Sequence, residues 1–61
     1  MLILRRQNDE TWLAAAIRYG IPWNLEKAIT ESYEEYVRDG WEPRYAAFEA
    51  AYDWDVLEYE K

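Results

Sequence analysis

The side chains able to do chemistry in this sequence are almost all carboxylates. Glu31, Glu34, Glu35 and Asp39 crowd the middle of the chain, and Glu49, Asp53, Asp55 and Glu58 follow in its last third. There is no histidine and no cysteine, and the only hydroxyl residues besides tyrosine are Thr11, Thr30 and Ser32. A hydroxyl nucleophile would therefore have no imidazole to deprotonate it. Two carboxylates can carry out hydrolysis, but they need a concave pocket that drives their pKa values apart, and a chain this short rarely encloses one. A calcium loop of the EF-hand type needs ligands at alternate positions, a central glycine and a closing glutamate, and Asp53-Trp54-Asp55 supplies none of that pattern. The expectation is a protein that is not an enzyme and carries neither metal nor cofactor.

What the carboxylates can do together is present charge. Glu31, Glu35 and Asp39 fall at i, i+4 and i+8, which on a helix makes a row with Cβ neighbours about 5–6 Å apart. Such a row is unfavourable in itself, and Asp39 also meets the negative end of the helix dipole, with Lys27–Glu31 and Glu34–Arg38 pairs offsetting part of the cost. It reads either as an ordinary solvated surface or as a negative strip offered to a basic groove, including one that normally holds phosphates. The charge is also segregated. Residues 1–30 carry four basic and three acidic side chains, whereas residues 31–60 carry two basic and ten acidic ones, within a net charge of −6. A field of that sign repels nucleic acid and anionic membranes and attracts basic protein surfaces. The partner it fits is a protein with a basic surface, with no direct nucleic-acid binding and no membrane.

Aromatic residues are the second surplus. Four tryptophans, six tyrosines and Phe48 are more than one small core can bury. Trp12, Tyr33, Trp41, Tyr45 and Phe48 are expected inside, leaving Trp23, Tyr36, Trp54 and Tyr59 for partial exposure. Exposed tryptophan and tyrosine are typical interface anchors, although rings can also lie flat over a bundle with their polar tips wet.

The elements that must position these groups are helices. Leu2, Ile3 and Leu4 form an extended arm able to pack on a helix or to join another chain's sheet edge, and Arg5 and Arg6 cut it off too early for a targeting segment or a membrane span. Asn8 or Asp9 caps a first helix over residues 9–19, with Trp12, Ala16 and Tyr19 on its apolar face and Gly20 as a left-handed stop. Pro22 or Asn24 opens a second helix over residues 24–38, whose stripe is Leu25, Ala28, Ile29, Ser32, Tyr33, Tyr36 and Val37. Asp39-Gly40 closes it, and Pro43 starts a third helix over residues 43–54 with Trp41, Tyr45, Phe48 and Tyr52 as its core stripe and alanines for close approach. Asp55 onward is a tail expected to fray. The fold class is therefore all-α: a compact three-helix bundle with a short extended N-terminal arm, one domain over residues 1–61. A chain this short buries only about 60% of its unfolded surface, and with no cysteine it has no disulfide to reinforce it.

Trp12 before an alanine-rich helix, Tyr19-Gly20-Ile21, Asp39-Gly40 with Pro43 two residues beyond Trp41, Ala46-Ala47 and Tyr52-Asp53-Trp54-Asp55 together resemble short acidic helical proteins of bacteriophages and mobile elements. The glycine turn and third helix are also similar to ubiquitin-associated-like three-helix domains, but Tyr19-Gly20-Ile21 departs from the Met-Gly-Phe or Met-Gly-Tyr turn of that family, so ubiquitin binding is not implied. The resemblance implies an origin and a three-helix shape, and brings no activity with it. With the charge layout it frames two expectations. One is a cytoplasmic phage-type accessory protein that binds and inhibits a host nucleic-acid-handling protein, in the manner of anti-CRISPR or anti-restriction proteins and by nucleic-acid mimicry. Glu31, Glu34, Glu35, Asp39, Glu49, Asp53 and Asp55 would enter the basic groove, while Trp23, Tyr36 and Trp54 anchor its edges. The other is a structural or assembly module that forms a homo-oligomer through its aromatic face.

Overall fold

Three α-helices make up most of the chain, and left-handed residues end the second, the third and the short 3-10 turn that continues the first. The computed structural model describes residues 1–60. In chain order the elements are β1 (Leu2–Ile3), α1 (Trp12–Gly20), a 3-10 turn (Ile21–Trp23), α2 (Glu26–Arg38), α3 (Pro43–Asp53) and β2 (Glu58–Tyr59). The result is an all-α three-helix bundle with a radius of gyration of 10.5 Å, in which every helix packs on the other two.

α1 starts later than the expected residue 9. Thr11, not Asn8 or Asp9, is its cap: its extended backbone breaks the helix and its Oγ1 accepts the Ala14 N–H at 3.0 Å. Asp9 is instead committed to a turn, with φ at 67° and the Glu10 N–H donating to the Gln7 carbonyl at 3.1 Å. α2 likewise starts at Glu26 rather than residue 24, because Asn24 has φ at 56° and closes the preceding 3-10 turn.

Gly20 was expected as a left-handed stop, and its conformation is instead helical, with φ at −88°. Its reason is space. A Cβ at this position would stand 2.4 Å from Ile29 Cδ1, and Ile29 is the largest fully buried side chain among the described residues. The left-handed role passes to Asn24, whose N–H bonds the Ile21 carbonyl while the Leu25 N–H reaches back to the Gly20 carbonyl. The same pair of bonds ends α2, where Gly40 at φ 98° donates to Val37 and Trp41 donates to Tyr36. It ends α3 as well, where Asp55 at φ 58° donates to Tyr52 and Val56 to Ala51. Each is the Schellman arrangement, with the outer residue packing back on the helix. At Gly40 the outer contact is aromatic, Trp41 against Tyr36 with ring centres 5.0 Å apart.

The core corrects the expected one. Ala15 and Ala16 of α1, Ile29 of α2 and Ala46, Ala47, Ala50 and Ala51 of α3 have no exposed surface, and Val56 closes the end. α3 lies between α1 and α2 and buries its alanine face, since small side chains let three backbones approach closely. Its aromatic stripe therefore points outward, with Tyr45 53% and Tyr52 54% exposed and Trp41 exposed as well. Phe48 is half-buried rather than central, while Trp12 and Tyr33 do pack against the alanine core from its margin.

The arm and the tail meet. β1 and β2 pair antiparallel, Leu2 opposite Tyr59 and Ile3 opposite Glu58, and Met1 and Glu60 exchange backbone hydrogen bonds at 2.8 Å. Part of the tail expected to fray is thus a strand, and the arm, besides pairing with its own chain, packs Leu4 against the helical core as the first alternative expects. Arg18 holds the base of the arm: its guanidinium forks onto both oxygens of Glu10, at 2.9 and 3.1 Å, and also donates to the Arg5 carbonyl at 2.8 Å. That fork holds the Glu10 carboxyl below its ordinary range.

Candidate functional site

The acidic residues named from the sequence lie on two helices, and α2–α3 packing brings part of them together. On α2, Glu31, Glu34 and Glu35 are exposed and Asp39 is its C-cap, its N–H shared between the Glu35 and Tyr36 carbonyls. On α3, Asp53 accepts a 2.6 Å hydrogen bond from the Tyr36 hydroxyl. One turn earlier on α2, Ser32 Oγ accepts from Trp54 Nε1 at 3.1 Å. Ser32, expected toward the core, is half-buried and serves as the seat for this indole.

Tyr36 is where the two groups of carboxylates meet. Its pKa is pushed up to about 12, first by the hydrogen bond it gives Asp53, then by partial loss of water, then by the charges of Asp53, Glu49 and Glu35. Carboxylates of α2 and α3 thus act on one hydroxyl, and the Tyr36–Asp53 and Ser32–Trp54 hydrogen bonds set Asp53 and Trp54 on the seam between the two helices. Asp55 has a backbone duty there, as the left-handed residue that ends α3. Trp23 does not join them: it sits in the 3-10 turn before α2, at the opposite end of that helix from Asp39, and is 63% exposed.

The face keeps its charge. The ion pairs among the described residues are Arg5 with Glu58 and Glu60, and Arg18 with Glu10. All lie between the arm, α1 and the tail. The expected Lys27–Glu31 and Glu34–Arg38 pairs are not among them, because both positions are solvated and an exposed pair gains little by closing. Nor do the carboxylates crowd into an inner cluster: among the described residues no group of three or more could hold a metal ion.

A concave feature elsewhere on the protein was not singled out from the sequence. A groove of about 440 Å³ runs between the arm, Leu2 to Leu4, and the side chains of Trp12, Tyr45 and Phe48, with Arg44 and Glu49 as its charged residues. The Arg44 guanidinium lies 5.6 Å from the Trp12 ring centre and 5.8 Å from that of Tyr45, and Arg6 stands 5.2 Å from Trp12. No local spacing announces it, since its walls come from three separated segments.

No protein-family model, curated protein or solved structure matches this chain. Function is therefore argued from its own residues. No helix among the described residues is long and apolar enough to cross a membrane.

Proposed function

We propose that this is a small protein-binding module whose α2–α3 acidic face docks on the basic, nucleic-acid-handling surface of another protein and blocks it. In the sharper form it is a phage-type inhibitor acting in the host cytoplasm by mimicking nucleic-acid charge. The observation that carries the reading is the Tyr36 junction. Helix packing joins Glu35 of α2 to Glu49 and Asp53 of α3 around one hydroxyl, and no ion pair among the described residues neutralises that face. Like charges held together with no ion pair among the described residues to offset them weaken the fold on their own account, so an attractive role in binding accounts for them better than stability does. Trp54, 42% exposed and held by Ser32, supplies an aromatic anchor at the border.

The test has two steps. Immobilised protein captures its partner from host lysate, and the partner's nucleic-acid reaction is then titrated with the protein at rising salt. Inhibition should weaken steeply with salt, and the combined change Glu31→Gln, Glu35→Gln, Asp39→Asn should abolish it while leaving the helix content unchanged. An inhibition constant that does not move in the neutralised protein would sink the charge mechanism.

One observation favours a second reading. The outward stripe of α3, with Tyr45 and Tyr52 more than half exposed, suits a module that self-associates through aromatic contact. Sedimentation would then show a dimer or larger species, weakened by Trp54→Ala and indifferent to salt. A monomer at high concentration eliminates it.

A further inference from the structure

The ribbon joining arm and tail leaves one edge open. Met1 and Glu60 exchange both backbone hydrogen bonds, and the register proceeds through Leu2 opposite Tyr59 to Ile3 opposite Glu58. Bonded and non-bonded pairs alternate along an antiparallel ladder, so Met1 and Ile3 face β2 while Leu2 and Leu4 turn their N–H and C=O groups to the other side. Consistent with that alternation, the Arg5 N–H faces inward and donates to the Tyr19 hydroxyl at 2.9 Å. The groove walled by Trp12, Tyr45 and Phe48 also borders this arm.

We propose that the groove receives an extended apolar segment of a partner protein, added as a third strand on the free edge of β1, with a carboxylate of that segment paired to Arg44. Three observations converge on this occupant. An unpaired strand edge is a template for another extended backbone, and pockets beside it then read alternate side chains. The groove wall is aliphatic and aromatic, which selects apolar side chains at those positions. The charge of the groove selects an acid: Arg44 is in none of the ion pairs among the described residues, and Arg6 stands with it against the Trp12 ring. Glu49, the other charged residue of the groove, repels a carboxylate placed beside it and so sets the direction in which the segment lies.

A second copy of this chain fits the edge poorly. Pairing two arms would bring Arg5 and Arg6 of each copy toward Arg44, which has no ion pair among the described residues, and would do so between chains that each carry a net charge of −6.

The probe is a blocked peptide, acetyl-Asp-Leu-Ser-Leu-Ser-amide, with a control in which Lys replaces Asp, titrated against the whole protein and followed by amide and indole NMR shifts. The expected result is a saturable change at the Leu2 and Leu4 amides and the Trp12 indole, with the Asp peptide about tenfold tighter than the Lys peptide. Arg44→Glu should invert that ranking. The substitution is exposed and in the first turn of α3, where an acid suits the helix dipole, so the fold is retained. Equal affinity of the two peptides, no saturable change at Leu2 and Leu4, or a salt-insensitive dimer that protects those amides without any peptide would each overturn the proposal.

Discussion

The Tyr36 hydroxyl donates a 2.6 Å hydrogen bond to Asp53 Oδ2, tying the last turns of α2 and α3 to each other. The bond requires Tyr36 to keep its proton, and with the surrounding carboxylates it raises the pKa from the ordinary 10.0 to about 12. The folded chain holds that proton more tightly than the unfolded one. The stabilisation is therefore complete below the unfolded value and is lost as pH rises through the folded value. Denaturation midpoints measured across that alkaline window should fall for the natural protein and fall less for Tyr36→Phe. Some slope should persist, because desolvation and the bond to Glu58 also raise Tyr19. Identical slopes for the two proteins would mean that the bond contributes nothing.

Gly20 is a test of packing rather than of backbone freedom. Its φ of −88° suits any residue, so Gly20→Ala should gain about 1 kcal/mol of helix propensity. Against that gain, the added Cβ would lie 2.4 Å from Ile29 Cδ1, at the end of a side chain with no exposed surface, so a shift within the core is required. Overpacking of that kind costs about 1–3 kcal/mol and should exceed the gain. Ile29→Val removes the clashing methyl, so the double variant should be less destabilised than the sum of the two single changes. Denaturant unfolding of the four proteins checks this, and simple additivity would refute the contact.

Gly40 carries the opposite argument. A Cβ there would meet nothing within 4 Å, yet φ is 98°. Gly40→Ala should therefore cost about 1–2 kcal/mol through conformation alone. D-alanine, introduced by chemical synthesis, should stabilise instead, by about 0.4–1 kcal/mol, because it prefers this half of conformational space and restricts the unfolded chain. At Asp55 a non-glycine residue already sits at φ 58°, beside the negative end of the α3 dipole. Asp55→Gly should accordingly raise the thermal midpoint, and a lowered midpoint would assign the aspartate side chain a structural role of its own.

The same residues explain what was legible beforehand. Gly40 and Pro43 located the end of α2 and the start of α3 because both act through local backbone chemistry. Gly20 marked the end of α1 to within a residue, though for a reason of packing that only Ile29 reveals. On α3 two apolar stripes compete, Trp41, Tyr45, Phe48 and Tyr52 against Ala46, Ala47, Ala50 and Ala51. Side-chain size favoured the rings. What decides the matter is that α3 lies between two other helices, where only alanines permit the approach, and that is a property of the whole chain. The site shows the same division. Periodicity placed Glu31, Glu35 and Asp39 on one row, but Tyr36 and Asp53 are 17 residues apart, and nothing local ties them. The two-residue strands at the ends have no periodicity to detect.

Those strands lead to the last prediction. The Tyr19 hydroxyl accepts from the Arg5 N–H at 2.9 Å and donates to the Glu58 carboxylate, so one side chain of α1 holds both strands of the ribbon. Isolated two-stranded ribbons are marginal in water, and this one has only two residues per strand, so its persistence depends on such side-chain anchors. Tyr19→Phe keeps the ring that packs against the core while removing both hydrogen bonds. Hydrogen exchange should then quicken at the Ile3, Arg5 and Glu60 amides, by about fivefold to tenfold if roughly 1 kcal/mol of net hydrogen bonding is lost. The Ala50 and Ala51 amides, deep in α3, should change far less, since they open only with larger parts of the bundle. A uniform acceleration across all of these amides would show instead that ribbon and bundle unfold as one unit.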